Sequence, residues 1–535
     1  MPNSAGLRAE EIAPSVFSIS ELILELMPHL HNDGSWNEKD IDTAGLVCKS
    51  WRERALNVKW GKVDVLRGLR MLGPMRALDG PDGTKEWTFD RPLRTDDWSR
   101  FNSIASRVKV LIVPQDNKLS DSLLAAIFKG RRTPSLALFP NIVTARLRPM
   151  RPDGITGFLA LVPSTLNKLE IAFPRGSLAD GEAEDIVALL DLIPPRFPAL
   201  SHLIFSGLRG RPDLTNPLTT MIHGLPNLRV ISMYHQKLSS AIDSALSTLQ
   251  NLELVNAGDV ETQAKLHWVR SDSASPQLSE LAVSGNFGYA TATYLADVAA
   301  NHSPTRLTLK YHAAYGRRDN VDSILHAITH HQSLTHLVVA NVLLNVLTIR
   351  TLEPLKGLGA LTELQLDLDG TTVEVGDKDV GELLQSLTSL ERLELGIRES
   401  HRFPLSLDAL VSALKTCPFL EHVAMSVDAT SRRIPAPIAF RHDNLSSLDF
   451  INVAGSTKPS PLDAPEAIAA FLSPLSAKAI TVESRSREPR GELPLWAGVA
   501  RLMPWFRKVM ELDRLHIVGR AALGNSGLGM SRRTT

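Results

Sequence analysis

An α/β solenoid is the fold class this sequence predicts: a horseshoe of stacked strand-and-helix units with a small helical module in front of it. Three observations predict it. A short strand motif recurs along residues 166–450, apolar stripes of helical period precede many of its copies, and residues 16–60 fit neither pattern.

The strand motif reads apolar, two variable, apolar, one variable, apolar. It occurs as LNKLEI from Leu166, LSHLIF from Leu200, LRVISM from Leu228, LSELAV from Leu278, LTHLVV from Leu334, LTELQL from Leu361, LERLEL from Leu390, LEHVAM from Leu420 and LSSLDF from Leu445. Taking the second apolar anchor of each copy and adding weaker copies gives Leu169, Leu203, Ile231, Val255, Leu281, Leu307, Leu337, Leu364, Leu393, Val423, Leu448 and Ile480. The gaps run from 24 to 34 residues with a mean of about 28. That mean lies in the range of roughly 20–29 residues typical of leucine-rich repeats, and the scatter makes the array irregular. VKVLIV around Leu111 and IVTARL around Ala145 are degenerate copies that extend it towards the N-terminus.

Between the strands, apolar residues at i, i+3, i+4 and i+7 mark one buried helix face. The pattern is seen at Ile186, Leu189, Leu190, Ile193; at Leu218, Met221, Ile222, Leu225; and at Ile242, Ala245, Leu246, Leu249. It recurs at Val321, Ile324, Leu325, Ile328; at Val380, Leu383, Leu384, Leu387; and at Ile468, Phe471, Leu472, Leu475. One such unit cannot bury both its stripe and its strand anchors, so neighbours must stack and share a core. Parallel strands then line one side and wider helices the other, which bends the array with its strands on the inner face. The asparagine that regular repeats place after the third anchor is mostly missing, which points to the helical, ribonuclease-inhibitor-like subclass. An ordinary doubly wound α/β core is the competing reading, and it would not keep a period near 28 over this length.

Composition narrows function further. Lys plus Arg and Asp plus Glu both number 58, so no excess charge is available to grip nucleic acid or an anionic membrane. Only two cysteines, Cys48 and Cys417, are present, which excludes a disulfide framework or multi-thiolate metal sites and suits a reducing compartment, cytoplasmic or nuclear. No run approaches the 18 apolar residues of a membrane span, and the start lacks a signal-peptide pattern. Catalytic motifs are absent: no Walker-type loop, no G-x-S-x-G, no H-E-x-x-H. His326 and His330 stand at metal-binding spacing on a predicted helix, without a carboxylate or thiol to complete a site. Neither an enzyme nor a cofactor or metal is therefore expected.

Residues 16–60 carry the most specific signal. Ser18 and Glu21 have capping-box spacing, and Leu22, Leu26 and Leu30 follow on successive turns. After a polar loop at 31–39, a second helix is predicted from Asp40 to near Trp60, with Ile41, Leu46, Val47, Trp51 and Leu56. Glu21, Leu22, Leu24, Glu25, Leu26, His29 and Leu30, followed by Asp40, the run Leu46-Val47-Cys48-Lys49-Ser50-Trp51, Arg52 and Trp60, resemble an F-box. Ser20 stands where the family usually has proline, and the loop from His31 is longer. Elements such as WSRFNSIASRVKVLIV from Trp98, SLALFPNIVTARL from Ser135 and WAGVARLMPWFRKV from Trp496 are similar, more diffusely, to fungal F-box proteins with degenerate leucine-rich repeats.

The resemblance implies a non-enzymatic substrate receptor. The F-box would dock a Skp-type adaptor, and through it a cullin, using Glu21, Leu22, Leu26, Leu30, Leu46, Val47 and Trp51. The repeats would hold a protein target for ubiquitin transfer by other subunits. An alternative is a leucine-rich-repeat interaction scaffold with no ligase role; a repeat protein supplying an arginine to a GTPase is a remoter one. Residues between strand anchors face away from the helices, so the binding candidates are His202, Tyr234, Arg306, Lys310, His336, Glu363, Asp367 and Arg392. The row turns from basic near 306–310 to acidic near 363–367, which suits a protein with opposed charge blocks. The predicted organisation is a flexible start at 1–15, the F-box at 16–60, a linker with first connecting elements at 61–100, the array at 101–518 and a flexible tail at 519–535.

Overall fold

The computed structural model describes residues 31–32, 35–36, 38–46, 49–79, 85–115, 117–130, 137–148, 152–173, 182–208, 212–234, 236–258, 278–285, 289–311, 318–399, 405–427, 442–452, 465–475, 481–486, 499 and 501–509. The segments read as flexible, 1–15 and 519–535, lie outside these. The chain divides into two compact units, Met1–Gln236 with Ala245–Leu252, and Lys237–Ser244 with Glu253–Thr535.

In the first unit, parallel strands follow in the order Lys62–Asp64, Val110–Val113, Thr144–Leu147, Lys168–Ala172, His202–Ser206 and Val230–Tyr234. Val63, Leu111, Ala145, Leu169, Leu203 and Ile231 stand in one register row, each at most 1% exposed. Both degenerate copies are therefore strands, and Lys62–Asp64 is one more that no motif announced.

In the second unit the parallel order is Leu254–Ala257, Glu280–Gly285, Arg306–Tyr311, His336–Leu347, Glu363–Val373, Arg392–Glu399, His422–Met425, Ser447–Asn452 and Thr481–Ser486. The anchor row runs Val255, Leu281, Leu307, Leu337, Leu364, Leu393, Val423, Leu448 and Val482. The last anchor is thus Val482 and not Ile480. Ile480, taken as the last anchor from the period count, lies outside the described residues.

All six predicted helical stripes fall on helices or their ends, in Glu182–Arg196, Thr215–His223, Ser240–Ser247, Arg318–Ile328, Asp377–Leu384 and Pro465–Leu472, and all their anchors are buried. Further helices at Asp121–Gly130, Pro152–Leu159, Tyr289–Asn301 and Leu407–Thr416 complete the alternation. Residues 61–100, read as linker and connecting elements, hold more structure than that. Met75–Asp79 pairs antiparallel with Lys85–Phe89, which pairs parallel with Asn117–Leu119, and Thr95–Ala105 is a helix.

Hydroxyls tie neighbouring strands together at their starts. Just before successive strands of the second unit, Ser279 donates to Glu253 O (3.1 Å), Thr305 to Ser279 O (3.2 Å), Thr335 to Thr305 O (3.1 Å) and Thr362 to Thr335 O (3.1 Å). Each bond ties one repeat to the one before it. Two glycines in the first unit are dictated by space. Gly207 has φ +93°, and a Cβ there would sit 2.4 Å from Phe173 O; at Gly224 it would sit 2.6 Å from Pro194 Cβ. In the second unit the ladder shifts between Val339 and Val342, where Asn341 adopts φ 60°, a left-handed conformation that asparagine tolerates.

Candidate functional site

Among the described residues, the N-terminal module starts with the antiparallel pair His31–Asn32 and Ser35–Trp36. The single helix expected from Asp40 to Trp60 is instead two, Glu38–Ala44 and Lys49–Gly61. Asp40, expected as a cap, lies inside the first. The break has a local cause: Gly45, a poor helix former, and Leu46 close the first helix by donating backbone N–H groups to Ile41 O (2.9 Å) and Thr43 O (3.0 Å). Ile41 and Ala55 form the buried contact between the helices, with Trp51 and Val58 packed against it. Lys59 Nζ reaches Asp42 Oδ1 at 2.6 Å across the pair.

Of the residues assigned to adaptor docking, Glu21, Leu22, Leu26, Leu30 and Val47 lie outside the described residues. Trp51 is half-buried and serves the module's own packing. Leu46 differs sharply, at 86% exposed. A leucine so placed contributes nothing to this small core, and its burial by a partner would recover roughly 1.5–3 kcal/mol.

The strand face of the second unit brings four of the assigned binding residues into one row. Arg306, His336, Glu363 and Arg392 are register partners on adjacent strands, and His422 continues the row. Arg306 Nη2 lies 3.3 Å from His336 Nε2. His336 Nε2 is 3.6 Å from Glu363 Oε2, and Glu363 Oε1 is 3.5 Å from Arg392 Nε. Arg392 Nη2 then donates to Glu394 Oε1 at 2.6 Å, and His422 Nε2 stands 3.5 Å from that oxygen and 3.9 Å from Asp449 Oδ2. His422 and Arg392 together hold the Glu394 carboxyl down to about 2 despite its burial. Parallel pairing sets Glu363 between His336 and Arg392 on neighbouring strands, so these sequence-distant partners meet through the register.

Lys310 and Asp367 belong to later positions along the strands, opposite Ala340 and Gly396. His202 and Tyr234 are in the first unit: His202 Nδ1 bonds Ser201 Oγ at 2.7 Å, and Tyr234 is 39% exposed at a strand end. Glu394 and Asp449 face the same way as the row by alternation and complete it, though neither was among the chosen candidates. Their strand positions were legible; their burial, 6% and 3% exposed, was not.

No group of three or more metal-ligating side chains is found among the described residues. His326 and His330 meet edge to face, ring centroids 6.1 Å apart. Burial pushes the Cys417 thiol up to about 12, and its Sγ lies 3.5 Å from Leu387 O, so the thiol is packed and not poised to react. No helix among the described residues is long and apolar enough to cross a membrane. Compared with known proteins, the chain matches no family model and no curated protein sequence.

Proposed function

We propose that the chain is the substrate-recognition subunit of a Skp-cullin-F-box type ubiquitin ligase, built as an F-box before an irregular leucine-rich-repeat horseshoe of the ribonuclease-inhibitor kind. Residues 16–60 dock the Skp-type adaptor, and the strand face holds the target protein. The observation that carries the reading is Leu46, 86% exposed at the start of the Leu46-Val47-Cys48-Lys49-Ser50-Trp51 run that resembles the F-box. An apolar side chain held out of its own module's core is what helix-in-groove docking uses. The charged row supports the second half of the reading. Solenoids bind along such faces, and alternating charges select a partner by complementarity more than by affinity. The chain performs no chemistry in this scheme. Holding a target beside the ubiquitin carrier raises its effective concentration.

The test is affinity purification from cells of the unchanged chain and of a Glu363→Lys/Arg392→Glu chain. Adaptor and cullin should accompany both, while target proteins should accompany the unchanged chain alone. Protein partners without adaptor or cullin would favour a scaffold with no ligase role.

A further inference from the structure

Residue 499 and residues 501–509 are helical, and this helix is apolar around more of its circumference than the fold covers. At about 100° per residue, its apolar side chains fall in the order Met503, Val499, Phe506, Leu502, Val509 and Trp505 around one arc of about 160°. A surface helix packs on a core with a stripe of about 100°. Exposure follows the arc. Met503 and Val499 are 7% and 0% exposed, Phe506 and Leu502 are half-buried, and Val509 and Trp505 reach 37% and 60%. Trp505 meets Phe506 edge to face, with ring centroids 5.0 Å apart. Pro504 lies inside the helix and would weaken it in isolation, so burial at the Met503 edge, and not propensity, holds the arc in shape.

Past Trp505 the arc ends in cations. Arg501 and Lys508 come next around the helix, both exposed, and neither makes an ion pair within 4.0 Å among the described residues. Arg507 borders the other end of the arc, half-buried. No acidic residue occurs between 499 and 509. The whole chain is neutral by count, so any attraction to an anion here is local, acting over a Debye length of about 8–10 Å.

We infer that this face lies on an anionic phospholipid surface. The Trp505 indole seats at the level of the headgroups, Val509 and Leu502 turn towards the acyl chains, and Arg501 and Lys508 meet the anionic headgroups. Area favours a bilayer over a folded protein partner. A stable protein interface takes about 800 Å² from each side, whereas a helix of this length is about 14 Å long and about 10 Å across. A bilayer sets no such threshold, because each inserted side chain and each cation adds its own increment. The helix lies on the surface and does not cross it: no helix among the described residues is long and apolar enough to span a membrane. The inference does not depend on adaptor docking or on the charged row of the second unit.

The experiment floats the purified full chain with vesicles of phosphatidylcholine alone or with about one third phosphatidylserine. The chain should float with the phosphatidylserine vesicles, stay behind with phosphatidylcholine alone, and detach as salt rises. An Arg501→Gln/Lys508→Gln chain should partition about 25-fold more weakly, about fivefold for each cation, with an unchanged thermal midpoint because both side chains are exposed. A Trp505→Ala/Val509→Ser chain should lose about tenfold or more while still unfolding cooperatively. No flotation by the unchanged chain, equal flotation on both vesicle types, or undiminished flotation of either variant would overturn the proposal. So would a purified protein that binds the unchanged chain and not the Trp505 variant while neither floats, which would give the face to a protein.

Discussion

The two units use the same alternation of buried and facing residues and arrive at opposite electrostatics. In the second, Arg306, His336, Glu363, Arg392, Glu394, His422 and Asp449 form a chain of contacts of 2.6–3.9 Å in which cationic and anionic groups meet. In the first, Glu170 is contacted by Arg146 and Lys168, while Lys62 and Arg148 make no ion pair within 4.0 Å among the described residues, Asp64 acting on Arg148 only at longer range. A repeat fixes its anchors through core packing and leaves the facing positions unconstrained. The second unit spends that freedom on mutual neutralisation, the first on an excess of cations.

The largest effect expected from breaking one unit belongs to the first. Gly207→Ala would force a Cβ to within 2.4 Å of Phe173 O at φ +93°. It should cost about 3 kcal/mol or more. Hydrogen exchange should report it as lost protection in Lys168–Ala172 and His202–Ser206.

A pH-dependent effect comes next, in the second unit. Burial pushes His331 down to about 4, its Nε2 2.9 Å from Leu295 O. Below about 6.5 the unfolded chain takes up a proton that the folded chain resists, so this group's contribution to stability falls with falling pH until about 4. At pH 5 the loss is about 2 kcal/mol. A His331→Gln chain should show a flatter stability profile between pH 6.5 and 5; an unchanged slope would place the titration elsewhere.

The paired row itself should contribute less. Glu394→Gln removes the carboxylate held by His422 and Arg392 and should destabilise by roughly 1–2 kcal/mol at neutral pH, discounted because Arg392 is partly solvated. Glu394 has a lowered folded value, so its contribution is present above about 4.5 and is lost as pH falls towards about 2. Chemical denaturation of both chains at neutral pH and at pH 3 should show the gap shrinking. Smallest is Thr335→Val, which deletes the hydroxyl's bonds to Thr305 O and to His336 Nδ1 and should cost about 1 kcal/mol of stability, read from the denaturation midpoint.

The repeat was legible because its signal is a period, and core burial enforces periods. Leu169, Leu203 and Leu364 could be assigned by counting, and the register placed them in their rows. Counting missed Val482, which the register places in the anchor row, and it missed the point where one weak helix former splits a helix, at Gly45. The antiparallel pair Met75–Asp79 and Lys85–Phe89 was read through as linker because the stretch between them, GPDGT, is rich in turn residues. For the facing residues, alternation shows which side chains share a surface but not which are adjacent. Arg146 and Arg148 bracket Leu147 in a strand the motif search had found, yet Lys62 is 84 positions before Arg146 and joins them only through strand order.

The measurement that most directly tests the account as a whole is titration calorimetry of the full chain with a purified Skp-type adaptor, repeated with Leu46→Asp. The account predicts one-to-one binding with a negative heat-capacity change from apolar burial, weakened by about tenfold or more in the variant. No binding by the unchanged chain, or equal binding by both chains, would contradict it.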